Sequence, residues 1–466
     1  MTPLVNPPPS LQAPMPMRRI VQTWWPLAAS WLLMSAEGPA VTAVVARLAE
    51  PEINLAAYGG VVFPLSLIVE APIIMLLSAS TALSKDWDSY LKLKRFMMRA
   101  GALLTLLHVL IAFTPLYYLV VAGLIGAPPE IIEPARIGLM IMTPWTWSIA
   151  YRRFNQGVLI RFGHSRSVGF GTAVRLTTDG LVLLTGYLIG TIPGIVVASS
   201  AMAAGVVSEA LYAGLRVRPV LRDQVRQAAP VRQPLTFRTF LEFYIPLAMT
   251  SLLYLLVQPI GSAALSRMPR ALESLAVWPV VTGLVFMLRS LGYAYNEVVV
   301  AMLDEPGARP NLRRFTTWLV ASTTALLLAI ASTPLAELWF RRVSALSPAL
   351  VTLSRQGLWI ALPIPALTAL QSWHQGNLVY SRRTRDVAVA TAIFLLTDSA
   401  ILWAGVAWSQ VTGLYVGLVA FGASMLMQNI WLWQRNRPVW ADISVNLRCK
   451  SHLPGCHCEE QSDKAI

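Results

Sequence analysis

Charge is scarce in this chain: only 13% of its 466 residues are Asp, Glu, Lys or Arg, and 55% are hydrophobic. A soluble domain carries roughly 25% charged residues, so the polar surface needed to cover a water-soluble globule is missing. Cysteine is nearly absent, with Cys449, Cys456 and Cys458 all near the C-terminal end. The rest of the chain therefore uses neither disulfide nor thiol chemistry. The cysteines and His452 and His457 fit no standard zinc spacing. Histidine is also sparse: the five sit at 108, 164, 374, 452 and 457, without a His-x-x-x-His pair. No Gly-x-x-x-x-Gly-Lys phosphate loop occurs. These absences argue against an enzyme, a metalloprotein and an ATP-driven pump.

What remains is a series of apolar runs of about 20 residues, the length that crosses a bilayer, and a mean hydropathy of +0.57. Twelve spans are expected, near 22–46, 55–81, 97–122, 131–152, 168–190, 194–215, 239–266, 272–301, 315–340, 347–374, 386–407 and 410–434. The expected organisation is a disordered Pro-rich segment at 1–20, a six-helix bundle at 21–215, and a basic linker at 216–238. A second six-helix bundle at 239–438 and a disordered tail at 439–466 complete it. The apolar run from Trp24 to Val45 is too long for a signal peptide and reads as the first span.

The net charge of +14 points to topology rather than to nucleic acid. Most loop Lys and Arg fall on one side, from Arg18 and Arg19 to Arg435 and Arg437. The opposite side carries Arg47, Arg136, Arg267, Arg270, Arg341 and Arg342. Basic loops stay in the cytoplasm, so both termini are expected there, in a multi-pass protein of the bacterial inner membrane.

The sequence repeats itself. Shifted by 220, Pro26-Leu27-Ala28 meets Pro246-Leu247-Ala248, Pro39 meets Pro259, and Leu55-Ala56 meets Leu275-Ala276. After a one-residue change, expected in a loop, a shift of 219 pairs Arg95-Phe96 with Arg314-Phe315 and Thr114-Pro115-Leu116 with Thr333-Pro334-Leu335. It also pairs Gln156-Gly157 with Gln375-Gly376 and Thr178-Asp179 with Thr397-Asp398. Each unit has an even number of helices, so the halves share one orientation about an axis along the membrane normal, an arrangement found among secondary transporters. The expected fold is an all-α polytopic membrane protein of twelve helices in two parallel six-helix repeats.

Several stretches carry a family resemblance. Trp25-Pro26-Leu27 opens helix one, and Glu37 lies 21 residues before Tyr58-Gly59. The second half has Phe243-Tyr244-Ile245-Pro246-Leu247-Ala248, Pro259-Ile260, Ser266-Arg267 and Glu273-Ser274-Leu275-Ala276. On these the chain resembles the progressive ankylosis protein family and its bacterial relatives, within the multidrug/oligosaccharidyl-lipid/polysaccharide exporter superfamily. The resemblance implies the twelve-helix fold of multidrug and toxin extruders. It also implies export of pyrophosphate, nucleotides or carboxylates, with more distant cousins extruding cationic drugs against Na⁺ or H⁺. Extruders often carry a carboxylate in helix one just before a Gly-x-Leu-Gly turn. Here Glu37 stands about one turn earlier, and the turn reads Ala46-Arg47-Leu48-Ala49.

Ionisable groups at membrane depth are costly and usually face a cavity or a partner. The pathway candidates are Glu37, Glu70, Asp179, Arg289 and Asp398. Gly38 and Pro39 after Glu37, and Pro259 in the second half, are candidate helix breaks that would free carbonyls to join a carboxylate around a cation. Arg175, four residues before Asp179, suggests an intrahelical pair. The shared position of Asp179 and Asp398 suggests one structural role in both halves. Arg289 has no acid three or four residues away and needs a partner on another helix, for which Glu70 is a candidate, or a substrate anion. Glu209 and Glu297 lie nearer the cytoplasmic ends and either join the pathway or simply reach water. The chain is thus expected to be a secondary exporter of small charged solutes, working as a monomer in the lipid bilayer without nucleic acid. No cofactor is expected beyond a coupling Na⁺ or H⁺. A multidrug/cation antiporter and a flippase for a lipid-linked precursor are the alternatives.

Overall fold

The computed structural model describes residues 15–452, apart from 232, 233, 304, 306, 307 and 382, with side-chain surroundings given through Arg437. Cys456, His457 and Cys458 lie outside the described residues, as do residues 1–14 of the Pro-rich segment. The protein is an all-α polytopic membrane protein of twelve spanning helices. They are α1 (Met17–Val45), α2 (Pro51–Glu70 continued by Leu76–Leu83), α3 (Trp87–Phe113) and α4 (Pro129–Ile141 continued by Thr143–Arg161). Next come α5 (Ser165–Ile189), α6 (Gly194–Val225), α7 (Phe237–Leu265), α8 (Ala271–Met302) and α9 (Ala308–Ser332). The last three are α10 (Pro348–Tyr380), α11 (Thr384–Trp408) and α12 (Gly413–His452).

Ten of these are long and apolar enough to cross a membrane by themselves; α4 and α5 are not among them. The reason is local chemistry. α4 is interrupted at Met142 and carries Glu130, Glu133, Arg136, Arg152 and Arg153, while α5 holds Arg175 and Asp179 mid-span. Such helices reach membrane depth because their mid-span charges Arg152, Arg175 and Asp179 are turned inward onto partners, while Glu130 and Glu133 are exposed near the start of α4. Outward positions are apolar instead: Leu103, Leu188 and Trp403 are among the most exposed large side chains.

Several ends differ from the sequence expectation. Helix already begins at Met17, inside the segment 1–20 expected to be irregular. α6 runs into the linker, with a π-helical turn at Leu221–Val225. The backbone of α12 continues to His452, past residue 438, so residues 439–452 are helical rather than the start of a disordered tail.

The repeat extends to the backbone. α1 breaks at Ala36 and α7 at Leu256, positions 220 apart, each three residues before a proline (Pro39, Pro259). Proline has no N–H and crowds the preceding turn, which accounts for both breaks. Left-handed residues recur in pairs: Glu50 (φ 48°) with Arg270 (φ 57°), Gly126 (φ 72°) with Ala345 (φ 52°), and Gly190 (φ 69°) with Ser409 (φ 49°). A short helix also follows each third span, Leu116–Ile125 after α3 and residues 335–343 after α9.

The one-residue change between halves lies in a helix, not in a loop. α2 contains a π-helical turn at Tyr58–Val62, whereas α8 is α-helical throughout. An i→i+5 turn accommodates one extra residue without disturbing the flanking helix. Taking Gly60 as that residue aligns the buried pairs Val61-Val62 and Val280-Val281. The repeat partner of Glu70 is then Arg289, so the two halves place opposite charges at equivalent positions.

Each lobe packs around its fourth and sixth or tenth and twelfth helices, but the first helix of each half is shared. The part of α1 before Ala36 leaves its own lobe and buries Ile20, Trp24 and Ala28 against Tyr295, Val298, Leu312 and Phe315 of α8 and α9. Trp24 Nε1 donates to the Leu291 carbonyl at 3.0 Å. Reciprocally, Phe240 and Tyr244 of α7 pack on Phe96 of α3, and the Tyr244 hydroxyl donates to the Pro72 carbonyl at 2.5 Å. The expected clean division at the linker is thus crossed by these two half-helices. Between the lobes, α2 lies on α8 where Gly59 meets the Pro279 ring, an approach with no room for a Cβ. Beyond Val62 the two helices part.

Candidate functional site

The break in α1 places Glu37 in the first turn of the segment Glu37–Val45. There it meets Arg175 of α5 in a two-pronged ion pair: Arg175 Nε donates to Glu37 Oε1 at 3.1 Å, and Nη2 donates to Oε2. The side chains are only 13% and 10% exposed. Asp179 is the second acid, with Oδ2 3.7 Å from Arg175 Nε and neither carboxylate oxygen hydrogen-bonded. Asp179 fits because residue 205 on α6 is glycine; a Cβ there would collide with the carboxylate. The sequence suggested an intrahelical Arg175–Asp179 pair. The structure instead gives the guanidinium chiefly to Glu37, and Asp179 takes the longer contact. Two carboxylates thus share one guanidinium beside the α1 break, a formal charge of −1.

Glu70 does not pair with Arg289. It is buried in its own lobe, where Trp145 Nε1 donates to its Oε2 at 2.6 Å. Glu209 does not reach water either: it is ion-paired with Arg152 and accepts from Gln156 Nε2 at 2.8 Å, in a site where it is 1% exposed. These contacts join α2 to α4 and α4 to α6, and they let the poorly apolar α4 sit inside the membrane.

Arg289 on α8 is half-buried. Its Nε donates to Thr368 Oγ1 at 3.0 Å and its Nη2 to the Tyr293 hydroxyl at 2.5 Å. The guanidinium also lies over the rings of Phe421 and Tyr293, 4.7 and 5.3 Å from their centroids. Every one of these partners is neutral, and among the described residues no carboxylate pairs with Arg289. Its charge is held by hydroxyls and aromatic faces, which orient a guanidinium without neutralising it.

Asp398, the repeat partner of Asp179, has different surroundings. Phe394 stands where Arg175 would be, and Asp398 makes no hydrogen bond or ion pair among the described residues. It lines a cavity of about 20 Å³, room for one water-sized particle, with Gln258, Trp278, Gly417 and Phe421. The shared role expected for the two aspartates is therefore not seen. Pro259 and Gly38 mark the backbone at equivalent breaks but take no side-chain part in either cluster.

Tyr293, Thr368, Phe421 and Trp145 are not among the partners expected from the sequence. Only the spacing of Tyr293, four residues after Arg289 on one helix face, could have found any of them. Arg47 and Arg267 are expected from the sequence only as charges on the side opposite the basic loops.

No family model and no curated protein matches the sequence. Among solved structures, the chain is similar to the inward-facing conformation of a multidrug resistance MATE family transporter of the MOP superfamily. The TM-score is 0.70 at 13% identity, covering 90% of this chain and 99% of that one. It is also similar to an outward-facing conformation of such a transporter (TM-score 0.57, 17% identity, 91% and 96% covered). A third is the lipid II flippase MurJ in an inward closed conformation (TM-score 0.64, 13% identity, 93% and 94% covered). The fold is that of MATE-like MOP-superfamily transporters, carried over nearly the whole chain.

Proposed function

We propose that this chain is a secondary active transporter that exports small organic anions by alternating access of its two six-helix lobes, with the basic face and both termini in the cytoplasm. The observation that carries this reading is Arg289: a permanently charged group at membrane depth, oriented by Thr368 and Tyr293, with no carboxylate partner among the described residues. A guanidinium cannot shed its charge at accessible pH, so a bound carboxylate or phosphoryl group would supply the missing compensation. The substrate class agrees with the resemblance to the progressive ankylosis family, whose relatives export pyrophosphate, nucleotides and carboxylates.

The Glu37–Arg175–Asp179 cluster supports a coupling role at the α1 break. Arg175 already stands between the two acids, leaving one uncompensated negative charge. One proton neutralises that cluster without displacing Arg175, which favours H⁺ over Na⁺ as the coupling ion. A cationic-drug antiporter is the weaker reading because Arg175 occupies the place an organic cation would take. A flippase for a lipid-linked precursor would need the cavity to open sideways into the lipid.

Purified protein in proteoliposomes tests the reading. An imposed pH gradient should drive flux of labelled pyrophosphate or citrate and leave a lipophilic cation unmoved. Cation flux without anion flux would reverse the assignment.

A further inference from the structure

At the end of the molecule opposite the basic face, the two lobes are tied by a pair of arginines that the repeat makes equivalent. Arg47 stands two residues beyond α1 and Arg267 two beyond α7, 220 positions apart. Arg47 Nη1 donates to the Val343 carbonyl at 2.7 Å, and Nη2 donates to the Arg342 carbonyl. Both acceptors belong to the short helix of the other lobe. Arg267 does the same in the opposite direction: Nη2 donates to Leu124 and Gly123 carbonyls at 2.6 and 3.4 Å, and Nη1 to Ile125 at 2.5 Å. Gly123 and Leu124 are the repeat partners of Arg342 and Val343. Each arginine is steadied by a carbonyl one turn back in its own helix, Ala43 at 2.6 Å and Ala263 at 2.7 Å.

The acceptors suit the donors. Leu119–Ile125 and Leu338–Val343 are π-helical ends, whose last carbonyls have no partner within the helix and carry its negative pole. Gly126 and Ala345 then turn the chain away in the left-handed conformation, and Gly126 lies directly under the Arg267 guanidinium, 3.1 Å from where a Cβ would stand. A third tie crosses nearby, Ser347 Oγ donating to Glu52 Oε1 at 3.0 Å. On this face each lobe thus gives one guanidinium and receives one.

We propose that Arg47 and Arg267 form a reciprocal double latch that holds the face opposite the basic one closed, and that both must release for the lobes to part there. The latch rests on the rocking of two lobes proposed above, but not on the charge of the substrate. Because both guanidiniums are exposed and water competes for them, each latch biases the closed state only modestly. Losing one should raise the open population about threefold and losing both about tenfold.

Spin-label distances test this in full-length protein reconstituted in lipid, with Cys449, Cys456 and Cys458 replaced by serine. One label pair, at Glu130 and Ala349, spans the lobes on the latched face; a second, at Lys94 and Arg313, spans them on the basic face. All four positions are exposed and pair by the repeat. Wild-type protein should show a predominantly short 130–349 distance. R47A/R267A should add a longer population there while the 94–313 distance shortens, with the single variants between. If the alanine pair does not fold, R47Q/R267Q keeps hydrogen-bond donors but loses charge and reach, and should shift the same way. An unchanged 130–349 distribution in a folded double variant would overturn the latch. A lengthened 130–349 distance with 94–313 fixed would show local loosening and also overturn it. If neither pair moves in wild-type protein under any imposed gradient, the rocking-lobe reading itself fails, which is a separate outcome.

Discussion

Replacing Glu37 by glutamine keeps the size of the side chain at the α1 break but removes its charge and turns one acceptor into a donor. Arg175 now makes two charge-assisted bonds to Glu37 and a longer 3.7 Å contact to Asp179. Breaking a buried pair by removing one partner costs about 3–5 kcal/mol. Asp179 remains to compensate the guanidinium, so about 2–3 kcal/mol is expected for E37Q. Arg175→Met is worse, because it leaves two carboxylates facing each other without a cation; about 3–5 kcal/mol is expected. The double variant removes the pair together and should be less destabilised than the sum by about 2 kcal/mol. Unfolding of the four proteins in one detergent, followed by tryptophan fluorescence, closes the cycle. Additivity within about 0.5 kcal/mol would refute the claim that Glu37 and Arg175 act as a unit. In vesicles, E37Q should also lose gradient-driven transport while passive exchange persists; a wild-type gradient response would reduce Glu37 to a structural role.

Other expectations follow from single contacts. Gly59→Ala would press a Cβ into the Pro279 ring and should destabilise the protein by about 1–3 kcal/mol, read as a lower melting temperature; an unchanged value would mean the α2–α8 crossing is looser than described. Asp86 caps α3, accepting from the Ser89 N–H at 2.9 Å, and its other oxygen accepts from the Val231 N–H of the linker at 3.1 Å. Partial burial alone would raise its pKa, but the hydrogen bonds from Ser89 and Val231 and the nearby Lys92 charge outweigh it and hold it below the usual carboxylate value. A lowered pKa means stabilisation above the ordinary carboxylate range that is lost as pH falls through and below it. D86A should therefore be less stable than wild type at neutral pH by about 1 kcal/mol, read as a lower melting temperature, and the difference should vanish in acid; a pH-independent gap would show that the ionised form is not what matters.

The helices and their repeat were legible because both are local and periodic. Twelve apolar windows, paired prolines at 39 and 259, and a near-constant offset need no tertiary information. The partners of the charged residues were not legible, because which helices meet depends on packing. Arg175 found Glu37 through the break at Ala36, which brings α1 against α5; the spacing to Asp179 gave the intrahelical pair, which is present at 3.7 Å, but not the second and closer acid. Glu70 is one candidate partner for Arg289 from the sequence, beside a substrate anion, yet a lobe boundary separates the two and Trp145 satisfies the acid. The π-turn at Tyr58–Val62 moved the repeat register by one residue, which hid the equivalence of Glu70 and Arg289. For Arg47 and Arg267 a signal did exist: the 220-residue offset pairs them, but loop arginines are common enough that it was read only as charge topology.

The proposed selection of an anionic substrate by Arg289 can be read most directly from flux of labelled pyrophosphate and citrate into proteoliposomes containing wild-type protein, Arg289→Gln or Arg289→Lys, with melting temperatures recorded alongside. Wild type should transport the anions, R289Q should lose transport at near-unchanged stability since no acid among the described residues pairs with Arg289, and R289K should recover it in part. A folded R289Q protein that transports these anions at the wild-type rate would contradict the proposed selection.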